Sequence, residues 1–239
     1  MSRGVDVLVI APHPDDAEIG CGGSIVRWVE AGLRVGVVDV TAGEAGTLGS
    51  PAQRAEEAAR ATALLGLAHR ENLGLPDAAV DPGGATVRAL VEVIRRLRPT
   101  WLLAPNAVDP HPDHEAVARA CRQSMFHAGL ARFEPQAGPA FRPRVMLRYA
   151  INDCSAPTFC LDISAWFERK RAAIACYVSQ LPSAPADRGH FLRGRDALSR
   201  IEVRDGFFGS QCGCDFAEPL WTDQPIAIDR LVPLLGVRS

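Results

Sequence analysis

Apolar residues follow two rhythms along this chain. Val5 to Ile10 (VDVLVI) is a short, β-branched, nearly continuous apolar run, the pattern of a strand buried on both faces of a parallel sheet. It ends at Ala11-Pro12, and a polar loop follows. Ser24 to Ala31 then carries Ile25, Trp28 and Val29 at helical spacing, with Gly32 placed to end the helix. Arg34 to Val40 is the next strand. Strand, loop, helix and strand in that order make a βαβ unit. The loop Thr41 to Ser50, with Gly43, Gly46 and Gly49, leads into an alanine-rich helix from Ala52 to Leu65. Ser50 is its expected N-cap, Pro51 sits in its first turn, and Gly66 stops it. Asn72 to Asp77 reads as another strand-to-loop exit. Thr86 to Leu97 is an amphipathic helix halted before Pro99, and Trp101 to Ala104 is a third buried strand. A polar loop runs on to His114. Glu115 to Ala128, Ala165 to Cys176 and Asp196 to Asp205 read as helices, and Val145 to Tyr149 and Thr158 to Ile163 as strands. The alternation predicts an α/β fold: a Rossmann-like, doubly wound, mostly parallel sheet with a mixed extension in the last third. Nothing resembling a linker or a repeat divides the chain, so residues 1–239 are expected to form one domain.

Composition narrows the classes. Hydrophobic residues make up 47% and charged residues 23%, which excludes a disordered or fibrous chain. The formal net charge of -2 gives no basic excess for nucleic acid. No stretch has the roughly 20 apolar residues of a membrane-spanning helix, and Met1 to Ile10 is too short and mixed for a signal peptide. The expected setting is cytoplasmic, with neither membrane nor nucleic acid as partner. Seven cysteines, odd in number and scattered, point to reduced and mostly buried thiols rather than a disulfide framework. Cys212 and Cys214 lack the second pair a structural zinc site needs. Of 26 basic residues one is a lysine, Lys170.

Two polar clusters carry the candidate chemistry. His13-Pro14-Asp15-Asp16 lies just past the first strand, where open α/β sheets place their ligands. His13 and Asp16 are three apart across a Pro-stiffened turn, so both can face one point, leaving Asp15 free to address a water there. His111-Pro112-Asp113-His114 follows the third buried strand, with its histidines also three apart. Loops after two strands of a parallel sheet can meet at the same edge. Together the clusters offer His, His and Asp as ligands with a fourth position open, the catalytic rather than the structural zinc arrangement. A mixed N/O donor set also suits iron, manganese or cobalt. The plainer reading is turn chemistry, each Asp capping the helix that follows. Two near-copies, both after apolar strands, weigh against it. Gly20-Cys21-Gly22-Gly23 lacks both the G-x-G-x-x-G register and a Walker lysine, and no G-x-S-x-G is present.

Ala11 through Gly23 (APHPDDAEIGCGG) closely resembles the N-terminal motif of the LmbE/PIG-L-like zinc-dependent N-deacetylases, and His111 to His114 resembles that family's second motif. Softer matches resemble the subgroup that deacetylates N-acetylglucosaminyl-malate in bacillithiol synthesis: Thr41 to Thr47 with Pro51 and Arg54, Glu71 to Asp77, Asp162 to Ser164, Tyr177 to Gln180, Phe208-Gly209 and Glu218-Pro219. The resemblance implies that His13, Asp16 and His114 hold Zn2+, with Fe2+ and other divalent ions as alternatives. It implies Asp15 as general base and His111, oriented by Asp113, as oxyanion donor or acid toward the leaving amine. Glu44, Arg54 and Asp77 match positions lining the sugar site. For Arg54 the plain alternative is a pairing with Glu57 on an exposed helix face. The implied partner is a small N-acetylglucosaminyl substrate, and the implied assembly a homo-oligomer, often a hexamer. Pro110, Asn152 and Ala42 stand where malate-specific members commonly carry Arg, His and Arg. The alternatives keep the chemistry on another N-acetyl glycoside, a chitooligosaccharide or a thiol-conjugate amide, or keep only metal or sugar binding without turnover.

Overall fold

The computed structural model describes residues 4–152, 155–181 and 197–235. One seven-stranded sheet runs through them: β1 (Val7–Ala11), β2 (Val35–Thr41), β3 (His69–Leu75), β4 (Trp101–Pro105), β5 (Val145–Tyr149), β6 (Phe159–Asp162) and β7 (Ala217–Trp221). Their spatial order is β3-β2-β1-β4-β5-β7-β6. The strands from β3 to β5 are parallel, and β7 runs antiparallel to both of its neighbours. Helices α1 (Asp16–Glu30), α2 (Pro51–Leu65) and α5 (Phe167–Ile174) lie on one face; α3 (Gly84–Leu97) and α4 (Pro112–His127) lie on the other. A further helix, α6 (Ala197–Cys212), packs on β7. The expected doubly wound sheet with a mixed extension is therefore what forms. Val7 and Val9 enter one core while Leu8 and Ile10 enter the other, so β1 needs apolar residues at consecutive positions.

The winding reverses between β1 and β4. The chain moves outward from β1 through β2 to β3, then returns to lay β4 on the other side of β1. Ligand crevices form at such a reversal, outside the C-terminal strand ends, because the following loops depart to opposite faces. The first polar cluster leaves β1 toward α1, and the second leaves β4 toward α4.

Several elements differ from expectation, among them the last helix, which runs on to Cys212 rather than ending at Asp205. The first helix begins at Asp16, not Ser24, and breaks at Cys21 (φ -146°, ψ 26°) before continuing. A Cβ on Gly20 would strike the Tyr149 ring, so this helix start is held against β5 by the missing side chain. The helix expected from Ala165 is shorter, with a 3-10 turn over Ser164–Trp166 before α5. β7 was not legible at all. Pro219 sits inside it, and proline argues against a central strand. The structure tolerates it because β7 pairs with β5 only through Trp221 and Leu220. Asp196, the expected start of the last helix, lies outside the described residues. The thiols are less buried than expected: Cys21 and Cys121 are buried, Cys160, Cys176 and Cys214 half-buried, Cys212 exposed, and all six are free. Cys154 is outside the described residues.

β7 also binds the last third of the chain to the first. At the α1 break the main-chain N–H groups lose helical partners, and the Glu218 carboxylate accepts from Gly23 N (2.9 Å) and Ser24 N (2.8 Å). The Lys170 Nζ lies 2.6 Å from both Glu218 and Asp205, and all three side chains are fully buried. Removing one partner from such a cluster leaves uncompensated buried charge. Lys170→Met is expected to lower stability by about 3–5 kcal/mol, read from denaturant unfolding of the whole chain; a change within about 1 kcal/mol, the worth of an exposed pair, would assign the cluster no structural weight.

Candidate functional site

The two polar loops meet at one cleft of about 930 Å³, lined by His13, Asp15, Asp16, His111 and His114 among others. Donor atoms of His13, His111 and His114 lie within 4.8 Å of one another. Asp16 Oδ2 is 3.0 Å from His13 Nδ1 and 3.3 Å from His114 Nε2. An ion with bonds of about 2.0–2.1 Å in tetrahedral geometry separates its ligand atoms by about 3.3 Å. The spacing across Asp16 therefore fits a metal.

The far ring nitrogens carry the same message. His13 Nε2 is 3.0 Å from Asp77 Oδ1, and His114 Nδ1 is 3.0 Å from Asp109 Oδ1, although the second contact is not aligned as a regular hydrogen bond. Carboxylates behind the rings fix the tautomer that turns each inner nitrogen toward an ion. The acids outnumber the fixed positive charges here, and this surplus favours the protonated form of His13 and of His114. Burial opposes a charge on His13, but its hydrogen bonds to Asp113, Asp16 and Asp77 outweigh burial and push its pKa up to about 12. Burial likewise opposes a charge on His114, and Asp16 and Asp109 raise its pKa to about 9. A divalent cation would supply the charge those protons supply.

Asp15 stands at the head of α1 with φ 116°, and its side chain caps nothing. This disposes of the turn-chemistry reading at that position. A non-glycine residue held there costs about 1–3 kcal/mol, and such strain collects at functional sites. Arg54 Nη2 donates to Pro14 O (2.6 Å) and lies 3.3 Å from Asp15 Oδ1. Burial, opposed by the Arg54 charge, lifts the Asp15 carboxyl to about 7. Arg54 and Glu57 do not pair on an exposed face. Both are buried, and Glu57 accepts from Ser179 N at 2.8 Å instead.

His111 is the N-cap of α4, its Nδ1 accepting from Asp113 N at 3.2 Å. That bond leaves the ring proton on Nε2. Burial and the charges of His114 and His13 lower its pKa. Asp113 thus orients His111 through its main chain. Its carboxylate turns instead toward His13 and accepts from Ala78 N (2.8 Å). Asp77 lines the cleft, but its oxygens are taken by His13, Ala45 N and Ala78 N. Glu44 is exposed and holds the Asp77 N–H (2.9 Å), so it supports Asp77 rather than lining the cleft. Asp109 was missed in sequence. Its signal was an acid two residues before His111, in a loop already rich in acids. Of the other histidines, His69 and His127 are half-buried and away from the cleft; His190 is outside the described residues.

Gly43 (φ +68°) makes room for Arg54, because a Cβ there would collide with Nη1. Gly74 (φ +61°) has open space around it. Gly74→Ala is expected to lose about 1–2 kcal/mol from left-handed strain alone, and Gly43→Ala clearly more in denaturant unfolding. Equal losses would mean the Arg54 seat is slack.

The comparisons agree with this geometry. A family model described as PIG-L: GlcNAc-PI de-N-acetylase matches residues 8–125. A diacetylchitobiose deacetylase from Thermococcus kodakarensis is 30% identical over 189 residues, covering 74% of this chain and 70% of that protein. A Bacillus anthracis protein named "Probable N-acetyl-alpha-D-glucosaminyl L-malate deacetylase 2" is 24% identical, covering 73% and 80%. Among solved structures, the conserved protein TT1542 from Thermus thermophilus superposes with TM-score 0.83 at 36% identity, covering 93% of this chain and 96% of that one. An N,N'-diacetylchitobiose deacetylase from Pyrococcus horikoshii superposes with TM-score 0.78 at 25% identity, covering 90% and 82%. With both polar motifs inside the matched region, this chain belongs to the PIG-L (LmbE-like) family.

Proposed function

We propose that this chain is a metal-dependent N-deacetylase that hydrolyses the N-acetyl amide of an N-acetylglucosamine conjugate. The observation that carries the reading is the meeting of His13, Asp16 and His114 with Asp15 and His111 at one cleft. His13, Asp16 and His114 would hold the ion, zinc in our reading. When bound, it supplies Lewis acidity, polarising the acetyl carbonyl and bringing the pKa of water to about 7. Asp15, which lines the cleft beside the ligands with its side chain partly open, takes the proton of the attacking water. Arg54 holds that carboxylate in place. His111 presents Nε2–H, a donor for the charge that develops on the acetyl oxygen. The proton taken by Asp15 then passes to the departing amine nitrogen, which is a poor leaving group until protonated. Acetate and the free amine result.

The specific substrate in our reading is N-acetylglucosaminyl-malate of bacillithiol synthesis, with a cytoplasmic homo-oligomer as the working form. The subgroup motifs and the Bacillus anthracis relative support it. Among the described residues no helix is long and apolar enough to cross a membrane.

The decisive measurement is amine release from N-acetylglucosaminyl-malate and from N-acetylglucosamine, using chelator-stripped and zinc-restored protein. Release is expected only with zinc, and faster from the malate conjugate. Asp15→Asn is expected to keep zinc and lose at least about 100-fold in rate. Undiminished hydrolysis would remove Asp15 from the mechanism, and bound zinc without turnover on either substrate would favour a binding role. Pro110→Arg restores the residue common in malate-specific members, and it is expected to raise turnover of the malate conjugate over that of N-acetylglucosamine.

A further inference from the structure

We propose that Asp109 and Asn152 form a positioning pair for His114, through which the loop after β5 sets how tightly the ion is held. The inference rests on the reading of His114 as a metal ligand.

The chemistry starts at the ring. For His114 to offer its Nε2 lone pair beside Asp16, its proton must sit on Nδ1, and an acceptor must stand there. Asp109 Oδ1 stands on that side, 3.0 Å from Nδ1 though off the line of a regular hydrogen bond, with a side chain that is 2% exposed. A carboxylate so buried needs donors of its own. His111 N donates to Oδ1 (2.9 Å), Asn152 Nδ2 donates to Oδ1 (3.1 Å), and Asn152 N donates to Oδ2 (3.1 Å). Only the NH₂ end of the Asn152 amide can serve, because its oxygen would face a carboxylate. Asn152 therefore touches the cleft while its main-chain N–H and one side-chain N–H go to Asp109.

The loop that carries Asn152 is itself fixed. Arg204 Nη1 donates to Ala150 O (3.3 Å) and Ile151 O (3.0 Å), and its Nη2 donates to Ile19 O (2.7 Å). Tyr149 OH donates to Ile10 O (2.9 Å) at the end of β1. A rigid backbone thus delivers two donors to one face of Asp109, and Asp109 presents its charge to His114.

The test is zinc affinity by chelator competition, with a thermal melt of each chelator-stripped variant alongside. Asp109→Asn is expected to weaken zinc about 10–100-fold, as loss of outer-layer partners typically does. Asn152→Ala is expected to weaken it about 10-fold. Asn152→Asp is the discriminating variant. It preserves size, so a packing role leaves zinc affinity nearly unchanged. In the positioning role it replaces a donor with a second negative charge and is worse than Ala. The stripped proteins of the two Asn152 variants are expected to melt within a few degrees of the parent. Zinc affinity within twofold of the parent in Asn152→Asp would overturn the pair, as would a rise in KM with affinity intact, which would make Asn152 a substrate ligand. His114→Ala separates the two levels. If it leaves zinc affinity unchanged, the metal reading fails with the inference; if it abolishes binding while Asp109→Asn and Asn152→Asp do not weaken it, the inference alone fails.

Discussion

One carboxylate oxygen, Asp16 Oδ2, stands between His13 and His114, and the site depends on bringing those three groups together from positions about a hundred residues apart. Such a meeting opposes chain entropy and crowds buried charge. The doubly wound sheet resolves the first difficulty. Adjacent parallel strands β1 and β4 end at the same edge, and their loops leave for opposite faces, so neither blocks the other. The second is resolved by layering. Asp77 and Asp109 stand behind the two rings, and Asp113 closes on His13 from the side. The result is a nest of acids around histidines that favours positive charge at its centre, whether from protons or from a divalent ion.

That centre is built mostly from the first half of the chain, but it is braced by the last third. Glu218 takes over the N–H groups freed where α1 breaks, and Lys170 balances Glu218 and Asp205 without access to water. The chain's one lysine serves here as a compact point charge with three donors, which suits two converging carboxylates. Next to Asp205 in sequence, Arg204 ties Ile19 of α1 to the loop after β5. A second buried set, Arg70 with Glu18 and Asp39, joins α1 to β2 and β3. The helix that starts at Asp16 is thus pinned along its first turns by charge as well as by packing.

Much of this was legible in the residues. Consecutive apolar positions in Val5 to Ile10 and Trp101 to Ala104 announced strands covered on both faces, and the polar runs after them announced the site. Ser50, Pro51 and Gly66 marked α2 correctly because capping is local chemistry. What escaped depends on long-range contacts. The start of α1 at Asp16 was hidden by three glycines, which read as a loop until Tyr149, Lys170 and Ile163 are seen packed against them. β7 was hidden because Glu218 and Pro219 are poor strand residues, and each is accounted for only by a partner far along the chain. The direction of the Asp113 side chain was hidden for the same reason. The resemblance implies Asp113 as the residue orienting His111, whereas the turn at the head of α4 sends its side chain to His13 and leaves only the main-chain N–H for His111.

Asp15 shows how the scaffold serves the chemistry. Its neighbours His13 and Asp16 need a tight turn to converge, and the turn leaves Asp15 in a backbone conformation that an ordinary side chain avoids. In that conformation the side chain is released from capping α1 and directed to the cleft. Arg54 then secures it, reaching through the space Gly43 leaves, and Ser50 and Pro51 fix the helix turn from which Arg54 extends. The strain is local, while the contacts that hold it come from three separate segments. In the role of base proposed for it, a carboxylate so constrained would lose little freedom on meeting substrate, the condition under which it acts within hydrogen-bond reach of a water without first being reorganised.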